Sequence, residues 1–423
     1  MRTIKKSIAI LTVLALPTAL GADPFTGYSV AESQGYHSQW NQDNWDEGGP
    51  LMRYVMLNMS EFWNHSLIDR GGPVRELPVA PRADVADFVT TTRQGRRTLD
   101  AYANDSTVDG AIIIYEGRIV YESYPRMLPA DKHNYMSISK GLIATLIAIL
   151  EDLGQVDVSR SVDTYIPELR GTDWADTSIL DILDMASGID CLETDQGSYS
   201  NVDHCYYQFE ASLGWIRPTA ATYDDAYAYV ASLPRHRPPG EAFEYTSQNT
   251  FVLGWLIETL SGQTVVDFLS REIWQKIGAE FDAVIAAPRR GVPIVHGGIS
   301  STLRDVARFG LQFTPMVRQE SNAPLISDAY LEKIRSRGRP EIFNAARENP
   351  ALIDEEAPRH NTYQWDFVMQ DGDFFKGGFG GQGLYISPSR NLVIAFFGAF
   401  EEDGTSHEMT RIARQLSKSG LFD

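Results

Sequence analysis

The sequence predicts an α+β fold, an antiparallel sheet flanked by helices with a mostly helical lobe beside it. Three observations predict it. Gly110-Ala111-Ile112-Ile113-Ile114-Tyr115 and Arg118-Ile119-Val120-Tyr121 flank Glu116-Gly117 as two strands around a tight turn. Near the other end, Gly383-Leu384-Tyr385-Ile386 and Asn391-Leu392-Val393-Ile394-Ala395-Phe396-Phe397 are joined by Ser387-Pro388-Ser389-Arg390 as a second hairpin. Between them, residues 155 to about 290 carry helix and loop patterns. Strands supplied from both ends imply one sheet closed by the two halves of the chain.

Taken in order, Arg2, Lys5 and Lys6 precede an apolar run from Ile8 to Leu16, and Ala19-Leu20-Gly21 offer small residues for cleavage before Ala22. Residues 1–21 are therefore expected to be a signal peptide, and the protein to be exported, periplasmic or secreted. The run is too short to span a bilayer, and no cysteine follows it to carry a lipid, so no stable membrane anchor is expected. Residues 22–85, rich in Trp, Asn, Gly and Pro, show no sustained period and are expected to wrap over the body as an extended N-terminal segment. The compact body is expected over 86–423.

After the first hairpin, residues 141–154 read as a helix in which Leu142, Leu146, Ile149 and Leu153 form a stripe and Gly154 is the stop. The stretches from Asn249 to Glu258 and from Val265 to Leu269 read as helices of the lobe, and a last helix is expected at about 406–418. Export gives meaning to Cys191 and Cys205, which lie in a polar stretch and are expected to form a disulfide closing one local loop; two free thiols or a catalytic cysteine are the alternatives, the latter without a matched Cys/His signature.

With 43% hydrophobic and 22% charged residues, the 423-residue chain can bury a large core as one domain or two closely packed ones. The net charge of −19, or −22 once the three cations of the leader are removed, leaves no basic surface for a phosphate backbone and excludes nucleic-acid binding. The eight histidines show no His-Glu-x-x-His or paired metal spacing. Residues 378–383 satisfy Gly-x-Gly-x-x-Gly, but a strand follows where a dinucleotide site needs a helix. No metal and no cofactor are expected.

The chemistry is concentrated in Ser137-Ile138-Ser139-Lys140. A serine hydroxyl is a poor nucleophile until a neighbour takes its proton, and residues three apart at a helix start share one face. Unpaired N–H groups at the helix N-terminus favour a developing alkoxide, and desolvation of Lys140 would lower its pKa towards that of a usable base. Downstream, Tyr245-Thr246-Ser247 sits in a loop just before a helix. Beside a lysine ammonium, Tyr245 can be read as a partial phenolate or as a proton relay, and Ser247 as a donor to substrate or an orienter of Lys140. His296 reads as a structural histidine at the turn before a helix bearing Arg304, Asp305 and Arg308, and Tyr363, Trp365, Phe367, Phe374 and Phe375 as core or pocket wall.

Ser137-x-x-Lys140, Tyr245-x-Ser247 and a glycine-rich approach to the last hairpin resemble the penicillin-recognising serine hydrolases, the superfamily of class C β-lactamases, DD-peptidases and related esterases. Residues 185–190, 245–254 and 296–308 resemble the branch of 6-aminohexanoate-dimer hydrolases, which cleave amides and carboxylic esters. The resemblance implies a β-lactamase/transpeptidase-like fold, with Ser137 as nucleophile, Lys140 as base, Tyr245 assisting proton transfer, and a backbone N–H at Phe379 or Gly380 pairing with that of Ser137 as oxyanion hole.

Two departures bear on substrate. Ser247 falls where β-lactamases usually have asparagine, and Lys-Thr-Gly is not visible as such; residues 377–382 occupy its region without a lysine. The expected substrate is accordingly a small-molecule carboxylic ester or linear amide. β-Lactamase or DD-carboxypeptidase activity is the alternative, and a non-catalytic module binding acyl compounds or cell-wall fragments is the alternative of another class. Oligomeric state is not read from the sequence.

Overall fold

The computed structural model describes residues 25–320, 324–346 and 352–423; the leader read at residues 1–21 lies outside the described residues. A seven-stranded antiparallel sheet runs in the spatial order Arg118–Ser123, Val108–Tyr115, Leu392–Gly398, Gln382–Ser387, Phe374–Gly378, Trp365–Val368, His360–Thr362. The two hairpins read from the sequence meet where Leu392–Gly398 pairs with Val108–Tyr115, so the halves of the chain close one sheet. The first turn works because Glu116 (φ 48°) and Gly117 (φ 70°) both adopt the left-handed conformation that matches strand twist in a two-residue hairpin.

The sheet is covered on both faces, and side-chain alternation shows it. Ile112, Ile114, Val393, Ala395 and Phe397 face the helix Ile138–Asp152 and the lobe, whereas Ala111, Ile113, Leu392, Ile394 and Phe396 face the helices Leu99–Asp105 and Met409–Ser417. A strand buried on both faces reads as a continuous apolar run, as Leu392–Gly398 does.

Ile138–Asp152 is the central helix. Leu142, Ile143, Leu146, Ile147 and Leu150 are all fully buried, so its apolar surface is broader than the predicted stripe, and Leu153 is exposed beyond its end. It packs against Ser247–Ser261 and the strand Phe374–Gly378. The lobe over 155–290 is mostly short helices and loops, but it also sends Ala283–Ala286 into a second, four-stranded sheet with His65–Ile68, Ile299–Ser301 and His133–Asn134.

The expectation of an extended segment over 22–85 is corrected. Its described part contains the helices Val30–Gln39 and Gly49–Leu57 and the strand His65–Ile68, which pairs with Ala283–Ala286. The helix Val30–Gln39 buries none of its residues, so it has no apolar period to read. Long-range polar and aromatic contacts hold the segment instead. Arg53 bonds the buried Asp109 at 2.6 Å, and Trp63 stacks on Trp215 at 5.1 Å between ring centres.

Cys191 and Cys205 are joined in a disulfide with their Cα atoms 5.7 Å apart. The Cys191 carbonyl accepts from Thr246 Oγ1 at 2.7 Å, so the staple is fastened to the Tyr245-Thr246-Ser247 segment. Cys205→Ser is expected to cost about 3 kcal/mol of stability in the loop-entropy model. Thermal unfolding with and without reductant checks this: reductant should lower the wild-type midpoint towards that of the variant and leave the variant unmoved.

Candidate active site

Ser137 occupies the N-cap of Ile138–Asp152, and its side chain makes no capping bond. The chain reaches it through Met136, a non-glycine residue at φ 47°, a conformation that costs on the order of 1 kcal/mol and is held by its N–H bonding Asn134 Oδ1 at 2.9 Å. Asn134 is fixed in turn through the Gly297 carbonyl at 3.1 Å. The amides of Ile138, Ser139 and Lys140 donate to the carbonyls of Tyr135, Met136 and Ser137, a tight start to the helix.

Lys140 is 1% exposed. Its Nζ lies 2.9 Å from Ser137 Oγ, 3.0 Å from Ser247 Oγ and 3.0 Å from the His296 carbonyl. Burial lowers its pKa to about 8; Glu193 opposes that shift and Lys376 adds to it. As a neutral amine it has two N–H donors and one lone pair. The carbonyl of His296 can only accept, and Ser247 Oγ already donates to Glu193, so both take protons from Lys140 and the lone pair is left facing Ser137.

Tyr245 borders the same cavity, of about 340 Å³, with Glu193, Tyr199, Tyr206, Glu210, Trp215, His296, Asp366, Gly378 and Phe379. Its hydroxyl accepts from Lys376 Nζ at 3.0 Å, and the ammoniums of Lys140 and Lys376 stand 5.1 and 4.8 Å from its ring centre. The partial-phenolate reading is corrected. Burial and then the carboxylates of Asp366 and Glu193 raise the phenol far above its ordinary value, and the adjacent Ser137 hydroxyl offsets this only in part. Tyr245 is a neutral phenol, able to accept one proton bond and pass another on.

A second correction concerns the lysine taken to be missing. Lys376 lies on Phe374–Gly378, fully buried, immediately before Gly377-Gly378. The signal was present as Phe374-Phe375-Lys376-Gly377-Gly378, a lysine two residues before the glycine at a strand end, with glycine in place of the usual threonine. Gly378 explains the spacing: a Cβ there would stand 2.4 Å from the Tyr135 carbonyl, so only glycine lets this strand end approach the start of the helix Ile138–Asp152. Lys376 pairs with Asp366, whose other oxygen accepts the Gly377 N–H at 2.7 Å.

Phe379 lines the cavity, half exposed at the rim with its ring edge-on to Phe400 at 4.9 Å. Gly380 is not among the residues lining it; at φ 90° its Cα faces Gln382, Met52 and Met56, so of the two candidate residues Phe379 is the one that borders the cavity. His296, read as structural, holds Lys140 through its carbonyl and bonds Glu210 at 3.0 Å through its ring. Glu193, Glu210, Lys376 and Asp366 were missed by sequence reasoning. The first two come from the disulfide-stapled loop and the helix Cys205–Leu213, elements with no motif to mark them.

Residues 96–417 match the family model described as Beta-lactamase. The chain belongs to the beta-lactamase family. It is a hydrolase of that family and is 28% identical to the 6-aminohexanoate-dimer hydrolase of Paenarthrobacter ureafaciens over 370 residues, 86% of this chain and 89% of the relative. Among solved structures, a protein described as a 6-aminohexanoate-dimer hydrolase from Bacillus anthracis superposes with a TM-score of 0.74 at 21% identity, over 89% of this chain and 98% of that one. An octameric penicillin-binding protein homologue from Pyrococcus abyssi superposes with a TM-score of 0.56 at 17% identity, over 76% of each chain. The β-lactamase/transpeptidase-like fold expected from the motifs is the fold of this family.

Proposed function

We propose that this protein is an exported serine hydrolase that cleaves carboxylic esters or small linear amides through an acyl-enzyme on Ser137. The observation that carries the reading is Lys140 Nζ at 2.9 Å from Ser137 Oγ, in a buried setting that lowers the lysine's pKa to about 8. Lys140 takes the hydroxyl proton as Ser137 Oγ bonds the substrate carbonyl carbon. The oxyanion is received by the N–H groups of Ser137 and Phe379. The proton then passes from Lys140 through the neutral Tyr245 hydroxyl to the departing alkoxide or amine as its bond to the acyl carbon breaks. Water attacks the acyl-enzyme, giving its proton to Lys140, and the acid leaves as Ser137 recovers its hydrogen.

The linear-amide side of the reading is supported by the relative that hydrolyses the 6-aminohexanoate dimer. Export is supported by the disulfide, a bond that persists in oxidising compartments. A serine-directed fluorophosphonate is expected to label the protein once, at Ser137, and short-chain chromogenic esters to turn over far faster than a chromogenic cephalosporin. Absence of labelling in folded protein would favour a non-catalytic binding module. Faster cephalosporin turnover would make β-lactam hydrolysis the activity.

A further inference from the structure

Lys376 lies just behind the cavity wall formed by Tyr245, Asp366 and Gly377, and where it spends its charge bears on what enters. Its Nζ is fully buried between the Tyr245 hydroxyl, 3.0 Å away, and the carboxylate of Asp366. The pairing is built into the sheet. Phe367 lies opposite Phe375 and Val368 opposite Phe374, and the same antiparallel register sets Asp366 opposite Lys376. Opposite charges placed directly across two strands hold each other in position. Asp366 is also anchored through its second oxygen to the Gly377 amide at 2.7 Å, yet its side chain remains 27% exposed towards the cavity it lines.

An incoming group therefore meets the carboxylate of the pair and not the ammonium. Glu193 and Glu210 line the same cavity, and Glu210 Oε2 is buried without a hydrogen-bond partner among the described residues. The lysine that lines the cavity, Lys140, is committed to Ser137, Ser247 and the His296 carbonyl. We infer that Asp366 sets the charge selectivity of the site, neutralising Lys376 so that the cavity rejects acyl substrates carrying a carboxylate near the scissile bond. The inference rests on the acyl-hydrolase reading for its substrate class. It supplies a different ground for disfavouring β-lactams and peptidoglycan stems: the lysine is present and is held by an aspartate.

The test compares the para-nitrophenyl ester of butanoic acid with the para-nitrophenyl monoester of glutaric acid, which adds one carboxylate. In wild type the neutral ester is expected to be preferred about tenfold or more in kcat/KM. In Asp366→Asn, or Asp366→Ser where the amide disturbs folding, the anionic-to-neutral ratio is expected to rise about tenfold, through KM. Asp366→Glu should keep the wild-type ratio, and Lys376→Met added to Asp366→Asn should abolish the rise. An unchanged ratio in both Asn and Ser variants, or a wild type that takes both esters equally, overturns the inference.

Binding is read separately in Ser137→Ala protein with and without Asp366→Asn, by calorimetry with the intact esters. A tenfold gain for the anionic ester alone is expected there, and equal affinities overturn the inference. That gain, found beside a wild type with no Ser137-dependent turnover, would keep the charge filter and remove the acyl-enzyme reading, so the two failures are distinct.

Discussion

Replacing Ser137 by alanine is expected to lower kcat for a short-chain ester by about 10⁴-fold or more, with the fold intact. The size follows from the role. On the proposed mechanism, removing the nucleophile deletes the acyl-enzyme route altogether, and what remains is water attacking a carbonyl that the amides of positions 137 and 379 would still polarise. The fold should survive because the Ser137 hydroxyl caps no helix N–H, so alanine removes no bond that begins Ile138–Asp152. Its loss frees one of the three contacts of Lys140 and leaves the Ser247 and His296 contacts in place. Steady-state rates on a chromogenic ester, with circular dichroism of the same sample, check both halves. A variant retaining more than about a hundredth of wild-type kcat would place the nucleophile elsewhere.

The route from Ser137 to the sheet shows how far the sequence could be read. Both hairpins were legible because strand periodicity and turn residues are local signals, and Glu116-Gly117 and Asn391 do adopt the left-handed conformations their turns need. Ser137 and Lys140 were legible because a helix brings residues three apart together without help from the rest of the chain. Tyr245 and Ser247 were legible as a short motif, but their environment was not. Whether a phenol ionises depends first on its burial and then on Asp366 and Glu193, which lie far away in the chain and reach it only through sheet register and a disulfide-stapled loop.

Lys376 was missed for a related reason. It sits between two apolar strand residues and a run of glycines, where a lysine reads as an edge charge, and only the close approach of Gly378 to Tyr135 shows that this strand end meets the start of the helix Ile138–Asp152. The N-terminal segment was misread because its helices are short and tied down by scattered contacts such as Arg53 with Asp109. Those contacts carry no period. They nevertheless bear on the site, since Trp63 backs Trp215, which forms part of the cavity wall.

The protonation state of Lys140 yields the other large effect. Lys140→Met keeps the length of the side chain and removes the base, and is expected to lower kcat about 10³-fold. In wild type the reactive form is the amine, so kcat/KM should rise with pH and level off above an apparent pKa of about 8. Tyr245 adds no falling limb in the ordinary range, because its pKa is raised and it stays a neutral donor throughout.

Stability follows the same group with a definite sign. The folded-state value of about 8 lies below the ordinary 10.5, so between these two the unfolded chain binds more protons than the native one. Native stability therefore gains from this lysine as pH rises through that window, and the native state gives the gain up as pH falls towards 8. Lys140→Met should lack that contribution to the slope, which denaturant titrations at both ends of the window would measure. A wild-type rate profile that is flat across neutral and mildly alkaline pH, or a Lys140→Met variant with the wild-type profile, would remove lysine as the base and turn attention to Tyr245, whose hydroxyl adjoins that of Ser137.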